Sequence, residues 1–268
     1  MLKQTLLAFS ILAIAGSAAA ADVTNPFYVA MKGQVGSVTT ASLQRNVIKN
    51  SREYTKSNSV LALEEVQVGL SDSWAIVGSV GNTWDRWKGN WVDDTGAMRS
   101  FRDNENIQWS AGLVWNVLRD KTKWQLSAKY GQDRAKNFSG EYKYTTVGTK
   151  FGYQFQRVLP YVAGDVEFPL FQKAGVDGNL PLGNKFIYNA KAGIYQGKCE
   201  VWALDTGVRM TYNENNEMRV ITAEAEASYY LTPFTTIGIF GTYALDGKAK
   251  HKSDVYDKSV GARLRMYF

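Results

Sequence analysis

The sequence of 268 residues contains only one cysteine, one histidine and five prolines. A single cysteine cannot form an internal disulfide, and one cysteine with one histidine excludes a Cys/His metal cluster, so we expect no metal and no other cofactor. Beyond residue 20 no apolar run is long enough to cross a membrane as a helix, which excludes a helical membrane protein. The net charge of +6 is mild and gives no reason to expect nucleic acid as a partner.

The first 21 residues have the features of a secretory signal peptide. Lys3 supplies a positive charge, residues 6–15 form an apolar stretch that is too short to span a membrane, and residues 18–21 are alanines that offer cleavage sites. We therefore predict a signal peptide over residues 1–21 and a single exported domain over residues 22–268.

Apolar and polar residues alternate with a period of two throughout the exported part, and aromatics are abundant, with 15 Tyr, 12 Phe and 8 Trp. The last segment is the clearest, because Val260, Ala262 and Leu264 alternate with Gly261 and Arg263. Most of the alternating segments have the roughly 9–11 residues that a transmembrane strand needs. The twelve predicted strands are 27–38, 59–70, 74–84, 106–117, 124–131, 141–155, 161–168, 185–196, 199–212, 219–231, 235–245 and 257–268.

Three features favour a membrane barrel over a soluble sheet. One face of the predicted strands carries more charges than a protein core could hold, although a water-filled bore could hold them. Aromatics lie near both strand ends, such as Trp74 and Trp124 at one end and Trp84 and Tyr142 at the other, as interfacial girdles do. Short and long connections alternate. We predict a closed antiparallel transmembrane β-barrel of twelve strands, with ten or fourteen as alternatives, since an open edge in hydrocarbon would leave backbone groups unpaired.

The C-terminal segment, with alternating apolar residues and a final Phe268, resembles the assembly signal of Gram-negative outer-membrane β-barrel proteins. The resemblance implies a location in the outer membrane, in contact with its lipid and lipopolysaccharide. It also implies insertion by the barrel assembly machinery with the help of periplasmic chaperones. In size and strand number the chain is similar to small monomeric porins for acidic sugars, but no narrower family is identified.

The charged residues assigned to the inner face suggest two groups on opposite walls of the bore. Lys32, Arg263 and Arg265 are predicted to form a basic patch without an adjacent acid. On the far wall, Asp165 and Glu167 are expected between Lys150 and Lys191, where the four charges either neutralise one another or set up a field across the bore. The predicted pore-lining residues are Lys32, Lys150, Asp165, Glu167, Lys191, Arg209, Glu224, Glu226, Arg263 and Arg265. Glu64 is predicted on the outward face, unless a bulge resets the register or the residue lies above the bilayer.

These features predict passive diffusion of small polar solutes, with a slight preference for anions set by Lys32, Arg263 and Arg265. The alternative interpretation is a structural or surface-binding barrel with a filled bore that acts through its extracellular loops. His251 and Ser253 resemble the His-x-Ser pattern of lipid A deacylases, but the glutamate of that family does not follow them. We therefore predict that the protein is not an enzyme. Cys199 is interpreted as a small residue beside a turn.

Overall fold

A computed structural model describes residues 22–49, 54–92, 98–99, 103–136, 140–173, 185–198, 201–215, 217–249 and 253–268. The strands are β1 (Val35–Lys49), β2 (Tyr54–Gly69), β3 (Trp74–Val92), β4 (Met98–Arg99), β5 (Asp103–Leu118), β6 (Thr122–Ala135), β7 (Glu141–Tyr153), β8 (Val158–Lys173), β9 (Ile187–Lys198), β10 (Trp202–Asn213), β11 (Met218–Thr232), β12 (Thr235–Ala249) and β13 (Ser253–Tyr267). Within the described ranges, no helix is long and apolar enough to cross a membrane.

Twelve of these strands close into an antiparallel barrel in which neighbours in sequence pair with each other and β1 pairs with β13. At the seam, the amide of Val35 donates to the carbonyl of Phe268 at 3.0 Å, and the amide of Phe268 donates back at 2.8 Å. The two-residue strand β4 pairs only with the tip of β3 and stands outside the ring. The predicted twelve-stranded closed barrel is therefore confirmed.

The first strand begins later than the sequence pattern predicts. The prediction places a strand at 27–38 and a loop at 39–58, whereas β1 runs from Val35 to Lys49 and β2 begins at Tyr54. That prediction is wrong because Gly33 has a φ of 78°, a left-handed conformation that ends an extended segment. Residues 22–34 are called the N-terminal segment below; residues 22–30 fold inside the barrel instead, and Lys32 and Gly33 form an exposed turn before β1.

Side chains alternate between the bore and the outer surface along each strand, as the strand geometry requires. The outer face carries exposed apolar side chains, among them Ile76, Val80 and Ile239. Trp74 and Trp84 of β3 also face outward and lie near the two ends of this apolar band. We call the two ends of the barrel the turn end, where the connections are short, and the loop end.

Glu64 faces outward from β2, as predicted, and neither a bulge nor a shift in register affects its position. It pairs in register with Val80, which lies between Trp74 and Trp84, so Glu64 sits near mid-height of the apolar band. The hydroxyls of Ser37 and Thr39 on β1 donate to its carboxylate. Neighbouring hydroxyls thus compensate part of the cost of an acid in an apolar setting.

Candidate functional site

The N-terminal segment lies across the bore at the turn end, and Phe27 is its main apolar anchor. The Phe27 side chain is buried in a cluster with Leu159 and Tyr161, and its ring meets the Tyr161 ring edge to face at 6.1 Å. Gly152 provides the space, because a Cβ there would lie 3.0 Å from the Phe27 ring. One wall of the barrel is therefore shaped to receive this side chain.

A second apolar contact holds the segment to the opposite side of the bore. Ala30 is buried in a cluster that includes Tyr230 and Tyr267. The Tyr28 ring packs edge to face on Tyr267 at 4.7 Å, and its hydroxyl donates to Gln34. Burial raises the pKa of Tyr28 to about 12, with the hydrogen bond to Gln34 acting in the opposite direction. The segment thus bridges the bore from wall to wall.

Polar groups of the N-terminal segment also find partners on the wall. The hydroxyls of Tyr195 and Tyr230 donate to the Asp22 carboxylate, the second at 2.7 Å. The carbonyl of Phe27 accepts a hydrogen bond from Gln125 at 3.3 Å. A non-regular segment inside a barrel needs such partners because an unpaired buried backbone group is costly.

Lys150 points into the N-terminal segment rather than toward the acids of the neighbouring strand. Its ammonium donates to the carbonyl of Pro26 and lies 5.5 Å from the centre of the Phe27 ring. Among the described residues, no carboxylate lies within ion-pair distance of Lys150. Of the two alternatives for these charges, neutralisation of Lys150 by Asp165 and Glu167 is therefore wrong.

On the loop side of the N-terminal segment the bore holds a chamber of about 550 Å³, and residues 23–26, 28 and 29 form part of its lining. Five cationic and four anionic side chains line the chamber, which leaves its charge nearly balanced. These residues are Glu65, Lys129, Lys150, Asp165, Asp205, Arg209, Glu226, Arg263 and Arg265. Of these, the predicted set omits Glu65, Lys129 and Asp205, which sequence alternation alone places on the inner face.

Arg263 and Arg265 share one carboxylate, so the prediction of a basic patch without an acid is wrong. Both guanidinium groups form ion pairs with Glu226 of β11, that of Arg265 at 2.5 Å. The contact crosses β12, where Gly238 leaves the way open, because a Cβ at that position would lie 3.0 Å from Glu226 Oε1. Lys32, the third predicted member, is exposed in the turn before β1 and does not line the chamber.

Lys191 is compensated by β10 and β11 rather than by the acids of β8. Its ammonium lies 3.0 Å from Glu224 and 3.5 Å from Asp205. The first contact passes over Gly207 of β10, where a Cβ would lie 3.0 Å from Lys191 Cε. Arg209 completes this network with a distance of 2.7 Å from its Nε to Glu224.

The two acids predicted beside Lys191 have neutral partners. Asp165 accepts a hydrogen bond from the Asn189 amide at 2.8 Å, and Glu167 accepts one from the Tyr142 hydroxyl at 2.6 Å. In the part of the chain that the structure describes, neither carboxylate lies within ion-pair distance of a basic side chain. The wall formed by β7 to β9 therefore carries these two carboxylates together with the ammonium of Lys150, while Glu226 does not fully offset Arg263 and Arg265 on the other side.

The described residues hold no group of three or more His, Cys, Asp and Glu side chains that could bind a metal ion. His251 and Cys199 lie outside the described residues.

The candidate site is the charged chamber, which the N-terminal segment bounds on the side of the turn end.

Several solved structures are similar to this chain in fold. An outer membrane channel from Pseudomonas putida F1 matches with a TM-score of 0.66 and 10% identity, over 91% of this chain and 98% of that one. The transport unit of the autotransporter AIDA-I from Escherichia coli matches at 0.54 and 12%, over 86% and 90%. The toluene transporter TbuX from Ralstonia pickettii matches at 0.51 and 9%, over 88% and 90%.

At these identities the likeness shows the fold alone, and the chain has the fold of outer-membrane β-barrel proteins. No protein-family model matches the sequence. A sequence comparison with curated proteins likewise finds no match.

Proposed function

We propose that the protein is an outer-membrane channel through which small polar solutes diffuse passively, with a slight preference for anions. The observation that supports this proposal is the charged chamber of about 550 Å³ inside the bore. A lining of this kind favours water and polar solutes, because an apolar solute would displace water from charged groups without replacing its hydrogen bonds.

The proposed anion preference follows from how the charges are paired. Arg263 and Arg265 share Glu226, which leaves one unit of positive charge on that wall. Lys150 adds another, since it bonds to a carbonyl rather than to a carboxylate. Asp165, on the strand next to that of Lys150 and across the chamber from the two arginines, offsets part of this charge and contributes to a field across the chamber. The expected selectivity is therefore weak.

The N-terminal segment sets the size of the pathway in this proposal, because solutes must pass it or displace it at the turn end. Its anchors, Phe27 on one wall and Tyr28 on the other, are side chains that substitution can weaken. Release of the segment would leave the wall intact, since β1 begins at Val35. We expect a small conductance with the segment docked and a larger one without it.

The proposal is tested by recording single channels of the refolded protein in a planar bilayer, with the reversal potential measured under a salt gradient. We expect steady openings with weak anion selectivity. Replacement of Arg263 by serine should shift the reversal potential toward cation selectivity. The substitution removes one positive charge and leaves Arg265 alone to neutralise Glu226. Arg134→Ser is the matched control: this cation is exposed on the outer face and should leave the selectivity unchanged.

The docked segment also favours the second candidate, a barrel with a filled bore that acts through its loops. A chain that begins at Gly33 separates the two, because it lacks the anchors but keeps every strand of the wall. If correctly folded protein gives no current either at full length or without residues 22–32, the channel proposal is wrong and the loops become the surface to examine.

A further inference from the structure

A groove of about 890 Å³ runs along the outer wall of the barrel near the loop end. It crosses the strands from β12 to β5, and most of the residues that line it face outward. Its apolar floor is formed by Leu43 together with Val60 and Val260, which pair with Leu43 in register on either side. Trp84 and Tyr243 stand at its two flanks. We call this feature the outer groove.

Three cations, Arg45, Arg86 and Lys258, lie directly on the loop side of this apolar floor, and two of them face each other. Arg45 and Lys258 are the next outward-facing pair along β1 and β13, and they are partners in register. Both side chains are exposed and line the outer groove. Like charges placed opposite each other on neighbouring strands repel and are destabilising unless something compensates them.

The chain itself does not provide that compensation among its described residues. Neither Arg45 nor Lys258 lies within ion-pair distance of a described carboxylate. Glu105, at the far edge of the outer groove, is held by the ammonium of Lys136 at 3.0 Å and by the amide of Asn82 at 2.8 Å. The pair of cations therefore fits an anion that comes from outside the protein.

Toward mid-height the wall below the floor is made of small side chains. Ala41, Ala62 and Ala262 form one row in register, and all three are exposed. Ile239, the next residue of that row, is 67% exposed and rises beside them. The alanine side chains are much smaller than the Ile239 side chain beside them. The resulting depression in the outer surface leaves room for an extended hydrocarbon chain along the wall.

The vertical order of these groups matches the order of groups in a lipid. Trp84 marks the boundary of the apolar band, the two cations lie beyond it, and the alanine row lies within it. We propose that the outer groove binds the lipid A part of lipopolysaccharide, with a phosphate between Arg45 and Lys258 and an acyl chain over Leu43 and the alanine row. This proposal uses the outer-membrane location but does not depend on conduction through the bore.

Binding is measured by native mass spectrometry of the folded protein in detergent, titrated with purified lipid A. A cation near an anionic lipid surface typically contributes about fivefold in affinity, so we expect roughly 25-fold weaker binding for Arg45→Ser combined with Lys258→Ser. The matched control is Arg134→Ser combined with Lys143→Ser, which removes two outward-facing cations from another part of the wall. Unchanged lipid A affinity in the first variant would overturn the proposal.

The hydrocarbon part of the site is tested separately, since a charge effect alone could come from a diffuse attraction. Ala62→Phe fills the row over which the acyl chain is proposed to lie and should weaken lipid A binding. Ala225→Phe places the same side chain at an exposed position of β11, away from the outer groove, and should not. Equal effects of the two substitutions, or phosphatidylglycerol binding as tightly as lipid A, would contradict the proposed occupant.

Discussion

Substitution of Phe27 by alanine tests whether the N-terminal segment controls the bore. The side chain is only 5% exposed and belongs to the cluster that includes Leu159, Tyr161 and Tyr195. Removal of a buried phenylalanine costs about 3–5 kcal/mol. Phe27 belongs to the N-terminal segment and not to a strand of the wall. Most of the lost free energy should therefore weaken docking of the segment rather than the stability of the barrel. Each 1.4 kcal/mol is a factor of ten, so the ratio of docked to undocked segment should fall by about 10²- to 10³-fold.

The assay combines single-channel recording with limited proteolysis of the segment. Phe27→Ala should give larger or longer openings and faster cleavage within residues 22–34, while the barrel keeps its β-sheet circular dichroism. Phe27→Leu retains most of the apolar contact and should change both quantities less. If Phe27→Ala folds correctly yet keeps the conductance and protease resistance of the unmodified protein, Phe27 does not anchor a segment that limits the pathway.

Two further predictions concern pH and the outer face. Since the pKa of Tyr28 is raised from 10 to about 12, the docked segment favours the neutral phenol. Docking should therefore be at full strength below pH 10 and weaken as the pH rises to 12, with a matching rise in conductance that Tyr28→Phe abolishes. At mid-height of the apolar band, Glu64→Leu should stabilise the barrel by about 1 kcal/mol in urea titrations in lipid vesicles, because a carboxylate facing lipid is costly. Glu64→Gln, which can still accept from Ser37 and Thr39, is its control, and a loss of stability in the leucine variant would show that the acid has a partner in the membrane.

The barrel could be predicted from the sequence because one local rule repeats in every strand. Alternation of apolar and polar residues identifies a strand without any knowledge of its neighbours, and short turns join the strands in order. The same rule misplaced the first strand, because Phe27 and Val29 alternate with other residues but are buried inside the bore. A pattern of period two reports that one side of a segment is apolar and does not say which surface covers it. Gly33 was the available signal against a continuous strand.

The charge pairing in the chamber could not be predicted by comparing adjacent strands. Arg263 reaches Glu226 two strands away, across Gly238 of β12, and Lys191 reaches Glu224 across Gly207. A missing side chain on the middle strand allows each contact. The relevant pattern is therefore a glycine flanked by opposite charges on the strands to either side, which becomes visible only once the register is known.

The docking site of the N-terminal segment has a consequence for the order in which the molecule is completed. Asp22 and Tyr28 come early in the chain, but their partners Tyr230 and Tyr267 lie on β11 and β13, which are made last. During biogenesis a barrel that still waits for its final strand offers only part of this surface. The complete docking surface therefore exists only once the seam between β1 and β13 has joined, and a fully docked segment is a mark of a finished barrel.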